Sequence, residues 1–507
     1  MKKIFTFLYH ISTYSILYLS LTLIALLSYL CLRYRAFITL TSEAFVLFNN
    51  NIIFIILLIA IIFLIVKSGS LINYIPANKL FIFLTFVYIT VGIYFIFNAD
   101  NLLRDDARYV YDAAISFNNG DYKALLEGQY FFYLPHQLGL LTYDRILLLV
   151  NESSRTLFTA NLVWVILINL ILAKIYKLLF PEDSNGLKYT ILLSFAFLPQ
   201  FLFILFAYGT IPGFFFFIAS VYFMLLYLIK NKSYALPLNI LFLLCACLIR
   251  LNYLIGAIAT IIIYTLNMLK EKKFHNLIII FIILINVLFS QKALENYYSV
   301  ESGMKINDGA PKILWVAMGL TDNPESPRAG GWFHDYYPEK TYQANDYDSS
   351  ATSKMAQKDI LNQIDNFVEN PYYAYIFFKE KIISTWCDPM FQSVWSGPLM
   401  SRQQQTYSPI LANLYNGGMI YKITAYYSNI LVCIIYLFTF IFLFPYTKDN
   451  KKKLAEYTLV FPLFLIGTFL FHLIWETKSQ YVYQAVISLV PLAAHAISMA
   501  TKKSTNR

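Results

Sequence analysis

Long apolar runs separated by short polar stretches dominate this 507-residue sequence. Runs of roughly 17–25 apolar residues have the length that an α-helix needs to cross the hydrocarbon core of a bilayer. Backbone polar groups inside a bilayer must find partners within the protein, so unbroken Ile/Leu/Phe runs predict helices, whereas a β-barrel would show short alternating segments. The pattern predicts twelve spans, at residues 11–32, 52–67, 80–98, 157–178, 187–206, 211–230, 234–250, 253–269, 275–290, 424–446, 456–474 and 480–500. The predicted fold is an all-α, polytopic transmembrane helical bundle.

The composition agrees with a membrane protein. Hydrophobic residues make up 58% of the chain, charged residues only 13%, and the mean hydropathy is +0.57, whereas a soluble protein of this length needs more polar surface. The net charge of +10 does not indicate nucleic-acid binding, because lysine clusters such as 270–273, 451–453 and 502–503 lie at span ends. This placement follows the positive-inside rule. We therefore expect a multi-pass protein of the cell membrane with both termini in the cytoplasm and no nucleic-acid partner.

The N-terminal sequence, Met1-Lys2-Lys3 followed by an apolar stretch to about Leu32, has two interpretations. A cleaved signal peptide has a short apolar region and then a small-residue cleavage site. This stretch is longer and no such site follows it. We expect an uncleaved anchor that forms the first span.

The same orientation places two polar segments on the outer side of the membrane. They divide the chain into N-terminal spans (1–98), a first outer loop (99–156), a central bundle (157–290), a large outer loop (291–423) and C-terminal spans (424–507). Within the first loop, residues 137–150 are apolar but too short to cross easily, and we expect them to be re-entrant or tucked against the bundle.

Two helices are predicted within the large outer loop. Residues 351–370 are periodic and stop at Asn370-Pro371, where a proline disfavours further helix. One helical face is expected to carry Met355, Ile360, Leu361, Ile364, Phe367 and Val368. The aromatic-rich stretch 372–386 suits a helix that lies at the membrane interface.

Cysteine and histidine usage gives no sign of a metal or a cofactor. The five cysteines are Cys31, Cys245, Cys247, Cys387 and Cys433, and only Cys387 lies in a polar loop, so no disulfide framework is implied. The six histidines are scattered and no His/Asp/Glu cluster has ligand spacing. We expect neither a bound metal nor a cofactor.

Three acids, Asp100, Asp105 and Asp106, directly follow the third span at its outer end. A carboxylate there is either a solvated loop acid or a general base for a substrate held at the membrane surface. The stretch ARYVYDAAISF predicts a helix that begins immediately after the acids and would fix their position. Both interpretations stay open from the residues alone.

Basic residues on the outer side run against the positive-inside bias and need a local reason. Arg250 and Asn252 lie between two spans with hardly any loop, and Glu476 and Lys478 lie at another outer junction. A single arginine in such a place often pairs with an acid. An anionic ligand, such as a lipid phosphate, would explain several of these residues together.

Several short motifs occur in an order that resembles one enzyme class. They are Asp105, Asp106 and Tyr109 in the first loop, Tyr133, Pro135 and Gly139 after it, Tyr208, Gly209 and Pro212 at an outer turn, the pair Arg250 and Asn252, the element Glu476, Lys478 and Tyr481, and the large-loop segments PKILWVAMGL, GGW and WCDPMFQSVW. The chain resembles the GT-C class of polytopic glycosyltransferases, which contains the protein O-mannosyltransferases and the aminoarabinose transferase that modifies lipid A. The resemblance covers residues 90–500.

Two features depart from the pattern of that class. Two spans precede the one that leads into the acidic loop, where many members have a single span, and the extra pair has no assigned role. Thr210 occupies a place in the Tyr-Gly turn where an acidic or more polar residue is expected. This puts the function of that turn in doubt.

The resemblance implies a polyprenyl-phosphate-linked sugar as donor and a hydroxyl on a cell-envelope polymer, a lipid or a protein as acceptor. Asp105 or Asp106 would be the catalytic base, with Asp105 favoured as the first acid of the motif and the other acid capping the helix near Ala107. Cations would hold the phosphate leaving group, namely Arg250, Lys478 and Arg108. The expected substrate-binding residues are Tyr109, Tyr133, His136, Asn252, Glu476, Tyr481, Trp332 and Trp395.

Two other functions compete with an inverting transferase. A transporter or flippase of a lipid-linked or anionic substrate would show inverted repeats and charges buried in mid-span, whereas the ionisable residues here lie at the outer rim. A polysaccharide polymerase would use a lipid-pyrophosphate oligosaccharide. The Ile/Lys/Asn/Tyr/Phe-rich usage points to an AT-rich bacterial genome.

Overall fold

The fold was obtained as a computed structural model that describes residues 2–448 and 454–505. Its helices are α1 (Lys2–Arg33), α2 (Ile52–Lys67), α3 (Gly69–Asn73), α4 (Ala77–Asn98), α5 (Asp105–Asn118), α6 (Tyr130–Tyr133), α7 (Leu138–Leu148), α8 (Ser154–Leu179), α9 (Ser184–Ala196), α10 (Leu198–Leu202), α11 (Thr210–Lys230), α12 (Ala235–Ile249), α13 (Leu254–Glu271), α14 (His275–Ser302), α15 (Ile313–Leu320), α16 (Tyr337–Ala344), α17 (Ser349–Glu369), α18 (Pro371–Trp386), α19 (Pro409–Tyr415), α20 (Met419–Lys448), α21 (Val460–Ile474), α22 (Tyr483–Ile487) and α23 (Val490–Thr505). The strands are β1 (Tyr34–Ile38) and β2 (Phe45–Asn49).

The long apolar helices confirm the predicted helical membrane bundle. In the described part of the chain, nine helices are long and apolar enough to cross a membrane: Lys3–Arg33, Ala77–Asn98, Ser154–Leu179, Thr210–Lys230, Leu251–Glu271, His275–Ser302, Met419–Lys448, Glu456–Ile474 and Tyr483–Lys502. Each coincides with one of the twelve predicted spans. Helix α11 packs between α8 and α12, and α23 packs between α9 and α20.

The other three predicted spans differ from single long helices. The run 187–206 is a pair, Ser184–Ala196 and Leu198–Leu205, bent by 47°. The break comes at Phe197, two residues before Pro199, because proline has no amide N–H to donate to the carbonyl four residues earlier in a continuous helix. The runs 52–67 and 234–250 form helices of 16 and 15 residues, or roughly 24 Å at 1.5 Å per residue, which is shorter than a typical hydrocarbon core. The count of twelve spans stays a prediction.

A small β-hairpin interrupts the otherwise helical chain between α1 and α2, and the sequence pattern did not predict it. Strands β1 and β2 pair antiparallel from Tyr34 opposite Asn49 to Ile38 opposite Phe45. The hairpin attaches to the large outer loop, since the Ala36 amide donates to the Cys387 carbonyl at 2.9 Å and the Phe45 amide donates to the Pro327 carbonyl at 3.0 Å. The N-terminal spans therefore contact the large loop directly.

Helix α14 is longer than expected, whereas α7 is as short as predicted. Helix α14 continues to Ser302, beyond the predicted span end at residue 290, and its extension binds α7 through a two-pronged ion pair in which both Arg145–Glu301 contacts measure 2.8 Å. Helix α7 has only 11 residues, so it is too short to span a bilayer and packs against the bundle, as expected.

Helix α17 confirms the predicted helix, which ends before Pro371. Its predicted apolar face is divided: Phe367 packs on the rings of α18, whereas Met355, Leu361, Ile364 and Val368 are exposed. Periodicity identified the helix correctly but not which side chains the loop covers.

Contacts gather the loops into two separate ends of the bundle. The hairpin, the first outer loop and the large loop meet at one end. At the other end the Lys188 ammonium donates to the Ile72 carbonyl at 2.8 Å, and Lys270 pairs with Glu456 at 2.9 Å. The lysine cluster 451–453 lies outside the described residues. Which end faces the cell exterior stays a prediction.

Candidate functional site

The two adjacent acids of the first loop lie at the start of α5 and point in different directions. The helix begins at Asp105, and Arg104 is its N-cap residue without a capping side-chain bond. The expected start near Ala107, with one acid as the cap, is therefore wrong. Asp105 has a left-handed backbone with φ of 52°, a conformation that aspartate tolerates better than most residues. This turn at the helix start separates the two carboxylates.

Asp105 faces solvent, whereas Asp106 faces the protein. The Asp105 side chain is 65% exposed and pairs with Arg104 at 3.0 Å. The half-buried Asp106 carboxylate lies close to the hydroxyls of Tyr130 and Tyr208, which bond to each other at 3.3 Å. Burial raises the pKa of Asp106 above its usual value, and Lys478 together with the two tyrosines limits that rise. Asp106 is the acid that the fold brings into a structured environment.

Arg250 lies on the other side of Tyr208. Helix α12 ends at Ile249, and Arg250 is extended with φ of −147° and ψ of 120°, which directs its guanidinium toward the outer junction. Its Nη1 donates to the Tyr208 carbonyl at 2.7 Å and to the Thr210 hydroxyl at 3.1 Å. The guanidinium lies over the Tyr208 ring at 4.9 Å and the Tyr481 ring at 5.7 Å.

The turn that holds Arg250 gives Thr210 a structural role. Gly209 has φ of 71° and contacts the side chains of Ile249 and Arg250 closely, so a larger residue would be strained there. Thr210 follows it and accepts the second Arg250 hydrogen bond. An acid at this position would neutralise Arg250, whereas the threonine orients it. In the described chain, Arg250 forms no ion pair with an acidic side chain.

Behind Arg250 lies a narrow crevice between α13 and α21. Arg250, Asn252 and Tyr481 line it together with Tyr253, Ile255, Phe464, Thr468, His472 and Gln484. His472 Nε2, Gln484 Oε1 and the Tyr253 hydroxyl are buried there without a hydrogen-bond partner among the described residues. Unpartnered buried polar atoms are costly unless a ligand or water meets them. The crevice has room for about 10 Å³, so as it stands it can hold at most one water molecule next to the guanidinium.

Glu476 is buried beneath this region. Only 6% of it is exposed, and its Oε1 has no partner in the described structure. Burial raises the pKa of Glu476 to about 7 and lowers the pKa of the nearby Lys381 to about 7. The Lys381 ammonium donates to the carbonyls of Gly319 and Trp475. Lys381 thus ties α18 to the outer junction that carries Glu476.

Lys478 is held by an acid that the sequence analysis did not select. Its ammonium contacts Glu43 Oε1 at 2.8 Å, and Arg328 contacts Glu43 Oε2 at 2.7 Å. Gln392 also donates to Glu43 at 2.8 Å. Glu43 was missed because it is a single acid in the short polar stretch between the first two spans. Its predicted outer position was the available signal.

Four other predicted residues lie away from Asp106 and Arg250 or are enclosed. Arg108 is 68% exposed and pairs with Asp112 along α5. Trp332 is completely buried, with its indole donating to the Ser384 hydroxyl at 3.1 Å, so it has no free face for a sugar. Trp395 is buried against the guanidinium groups of Arg104 and Arg402. Tyr133 packs in the aromatic cluster of the large loop with Tyr347.

Tyr109 and His136 lie at the edge of the site. Tyr109 is exposed, and its ring stacks on Tyr130 with 5.3 Å between the ring centres. Tyr130 in turn lies beside Asp106. Burial, with smaller contributions from Lys312 and Arg250, lowers the pKa of the half-buried His136 to about 4. His136 is therefore neutral at pH 7 and offers hydrogen bonds without charge.

No group of three or more His, Cys, Asp or Glu side chains within the described ranges has the arrangement of a metal site. The site consists of one inward carboxylate, one unpaired guanidinium and a crevice with polar atoms. No family model, curated protein or solved structure matches this chain. Any assignment of function therefore depends on the site itself.

Proposed function

We propose that the protein is a glycosyltransferase of the GT-C type that moves a single sugar from a polyprenyl-phosphate donor to an acceptor hydroxyl, with inversion. The proposal includes twelve spans in a bacterial cell membrane, cytoplasmic termini and a site on the outer face. Its physical basis is the end of the bundle where the outer loops meet, because the donor's lipid tail must stay in the bilayer while its sugar meets a polar acceptor.

The observation that carries this proposal is that Asp106 and Arg250 both contact Tyr208. The Tyr208 hydroxyl lies close enough to the Asp106 carboxylate to lower its pKa, while the Arg250 guanidinium lies over the ring and donates to the carbonyl of the same residue. Tyr208 therefore lies between the proposed base, Asp106, and the Arg250 guanidinium, which has no acidic partner in the described chain.

The chemistry divides between these two groups. The oxygen of the acceptor hydroxyl attacks the anomeric carbon while Asp106 accepts the proton of that hydroxyl. The bond from the anomeric carbon to the phosphate oxygen breaks. The electron pair leaves with the phosphate, whose negative charge the guanidinium of Arg250 stabilises. Lys478 adds a second positive charge close to Asp106. Phosphate is a stable anion, so the reaction needs no strong general acid.

The lining of the crevice combines apolar and polar side chains. Ile255 and Phe464 form apolar walls on spanning helices, while Asn252, His472 and Gln484 provide polar atoms beside Arg250. Tyr481, which contacts Arg250 and stacks on His472 at 5.6 Å, closes one side. The crevice has the volume of about one water molecule, so a lipid phosphate that meets Arg250 along the apolar wall would have to widen it.

Purified protein incubated with a panel of polyprenyl-phosphate sugars and hydroxyl acceptors tests the function. Transfer releases polyprenyl phosphate, and the product carries the opposite anomeric configuration, which NMR reports. A flippase would move the lipid across vesicles without releasing phosphate. A polymerase would act only on lipid-pyrophosphate oligosaccharides. Either of these results would replace the proposal.

A further inference from the structure

Glu43 is a buried acid that belongs to the N-terminal pair of spans, for which the class resemblance gave no role. It lies in the turn between β1 and β2, where the Thr39 amide donates to the Ala44 carbonyl at 3.0 Å and the Glu43 amide donates to the Thr39 carbonyl at 3.2 Å. Its backbone is left-handed, with φ of 57°, and its side chain contacts residues outside the hairpin. The hairpin thus places the Glu43 carboxylate against the large loop and the junction that carries Lys478.

Glu43 is buried, and both of its carboxylate oxygens have side-chain partners. Only 1% of Glu43 is exposed, and three side chains from distant parts of the chain hold its two oxygens: Arg328 at 2.7 Å, Lys478 at 2.8 Å and Gln392 at 2.8 Å. Burial raises the pKa of Glu43, but the charges of Lys478 and Arg328 outweigh that effect and lower it below its usual value. The carboxylate is ionised at pH 7.

The charges of this cluster do not cancel. Arg328 and Lys478 contribute two positive charges and Glu43 one negative charge, so a net charge of +1 remains. Arg328 is further fixed by donating to the Phe333 carbonyl at 2.8 Å. Lys478 keeps two N–H donors beyond the one that bonds Glu43, and it lies close enough to influence the Asp106 carboxylate.

We infer that Glu43 is a positioning residue of the transfer site, which holds the Lys478 ammonium where it can meet the donor phosphate. The inference rests on the proposed function and deepens it, because it makes the N-terminal hairpin part of donor recognition. Lysine side chains are flexible and lose considerable rotamer freedom when they are ordered. An ammonium that Glu43 already orders pays less of that cost when the phosphate arrives.

Equilibrium titration with a polyprenyl-phosphate sugar tests this role, together with the donor KM and kcat. Glu43→Gln keeps the shape of the side chain and removes its charge. We expect it to weaken donor binding about tenfold and to raise the donor KM more than it lowers kcat, since a charge-assisted contact becomes disordered. Lys478→Met should weaken donor binding to a similar extent.

The double variant Glu43→Gln/Lys478→Met separates positioning from general stability. If Glu43 acts through Lys478, the double variant binds donor no more weakly than Lys478→Met alone. Glu301→Gln is the matched control: it also removes an acid that pairs with an arginine in the outer region, and it should leave donor affinity unchanged. Should Glu43→Gln fail to fold, Glu43→Asp replaces it. This variant keeps the charge on a shorter side chain, so it should bind donor more weakly than the wild type and more tightly than Glu43→Ala.

Two results would overturn the inference. One is unchanged donor affinity in folded Glu43→Gln. The other is a double variant in which Glu43→Gln weakens donor binding as much as it does in the wild-type background. A wild-type protein that binds none of the donors would instead contradict the proposed function itself. A wild-type protein that binds donor without turnover still tests Glu43, because the titration does not depend on catalysis.

Discussion

At the residue scale, Asp105 and Asp106 are neighbours in the chain but have different surroundings. Motif position favoured Asp105, whereas the structure turns Asp105 to solvent and Asp106 toward Tyr130 and Tyr208. The choice depends on the backbone of a single residue at the start of α5. Such a turn depends on tertiary packing. For the same reason Glu43, which is one acid in a short polar stretch, could not be recognised before its partners were known.

Arg250 should dominate donor binding among the outer cations. Arg250→Ala removes a charge-assisted contact worth about 1.5–3 kcal/mol, so donor affinity should fall about tenfold or more. Arg250→Lys should restore it only in part, because a point charge replaces a planar fork. The measurement is a donor titration of variants that still insert into the membrane.

Arg108→Ala is the comparison for Arg250. Arg108 was also predicted to hold the phosphate, but it lies on the exposed face of α5 in an ion pair with Asp112. Exposed pairs of this kind contribute little to stability or binding. Donor affinity should stay at the wild-type value. A loss as large as that of Arg250→Ala would place the donor phosphate elsewhere.

Glu476 should make stability depend on pH. Burial raises its pKa in the folded protein to about 7, above the value near 4.5 that an unfolded chain has, so the folded state holds its proton more tightly. The stability from this group is present below that lower pKa and is lost as pH rises toward 7. The melting temperature in detergent should therefore fall between pH 5 and 7 in the wild type and fall less in Glu476→Gln.

The opposite sign is expected for Glu301, which controls for general effects of removing an acid. Arg145 lowers the pKa of Glu301, so its stabilising effect is present at higher pH and is lost on acidification. Glu301→Gln should not flatten the decline between pH 5 and 7. An equal decline in wild type and Glu476→Gln would show that Glu476 is ionised in the folded protein.

At the element scale, apolar run length predicted where helices lie because that signal is local. Nine predicted spans coincide with long helices in the described chain, and α17 ends before its proline. The bend before Pro199 and the hairpin were not predicted. The hairpin pairs with loop segments that lie hundreds of residues away, through Pro327 and Cys387. A local pattern does not contain those contacts.

The contact between α7 and α12 should set the position of Arg250. Gly139 packs directly on the Leu248 carbonyl, so that a Cβ at this place would overlap the backbone two residues before Arg250. Gly139→Ala should push the helices apart, lower stability by about 1–3 kcal/mol and weaken donor binding. Thermal melting and donor titration measure the two effects.

Ile146→Ala provides the control on the same helix. Ile146 is 62% exposed, so shortening it leaves the contact with α12 intact. Both stability and donor affinity should stay close to wild type. If Gly139→Ala behaved in the same way, α7 would not determine where the guanidinium lies.

At the scale of the whole molecule, the contacts assign the loops to two ends, and the lysine distribution predicts which end is outside. A cysteine introduced at Ser350, on α17, should react with an impermeant maleimide in intact cells. Cysteines at Asn231 and Ser504 should react only after the membrane is opened. The native cysteines are buried or half-buried, which favours a low background. Labelling of Ser504 but not of Ser350 in intact cells would reverse the orientation.

The role of Asp106 as the general base is tested by the rate of sugar transfer by Asp106→Asn and Asp105→Asn in a purified assay. Both substitutions keep the shape of the side chain and remove one carboxylate from adjacent positions. Asp106→Asn should lower kcat about 10²–10⁴-fold with melting close to wild type, because the general base is lost. Asp105→Asn should retain most activity, because that side chain is 65% exposed and pairs with Arg104. Near-normal transfer by Asp106→Asn would contradict the central claim.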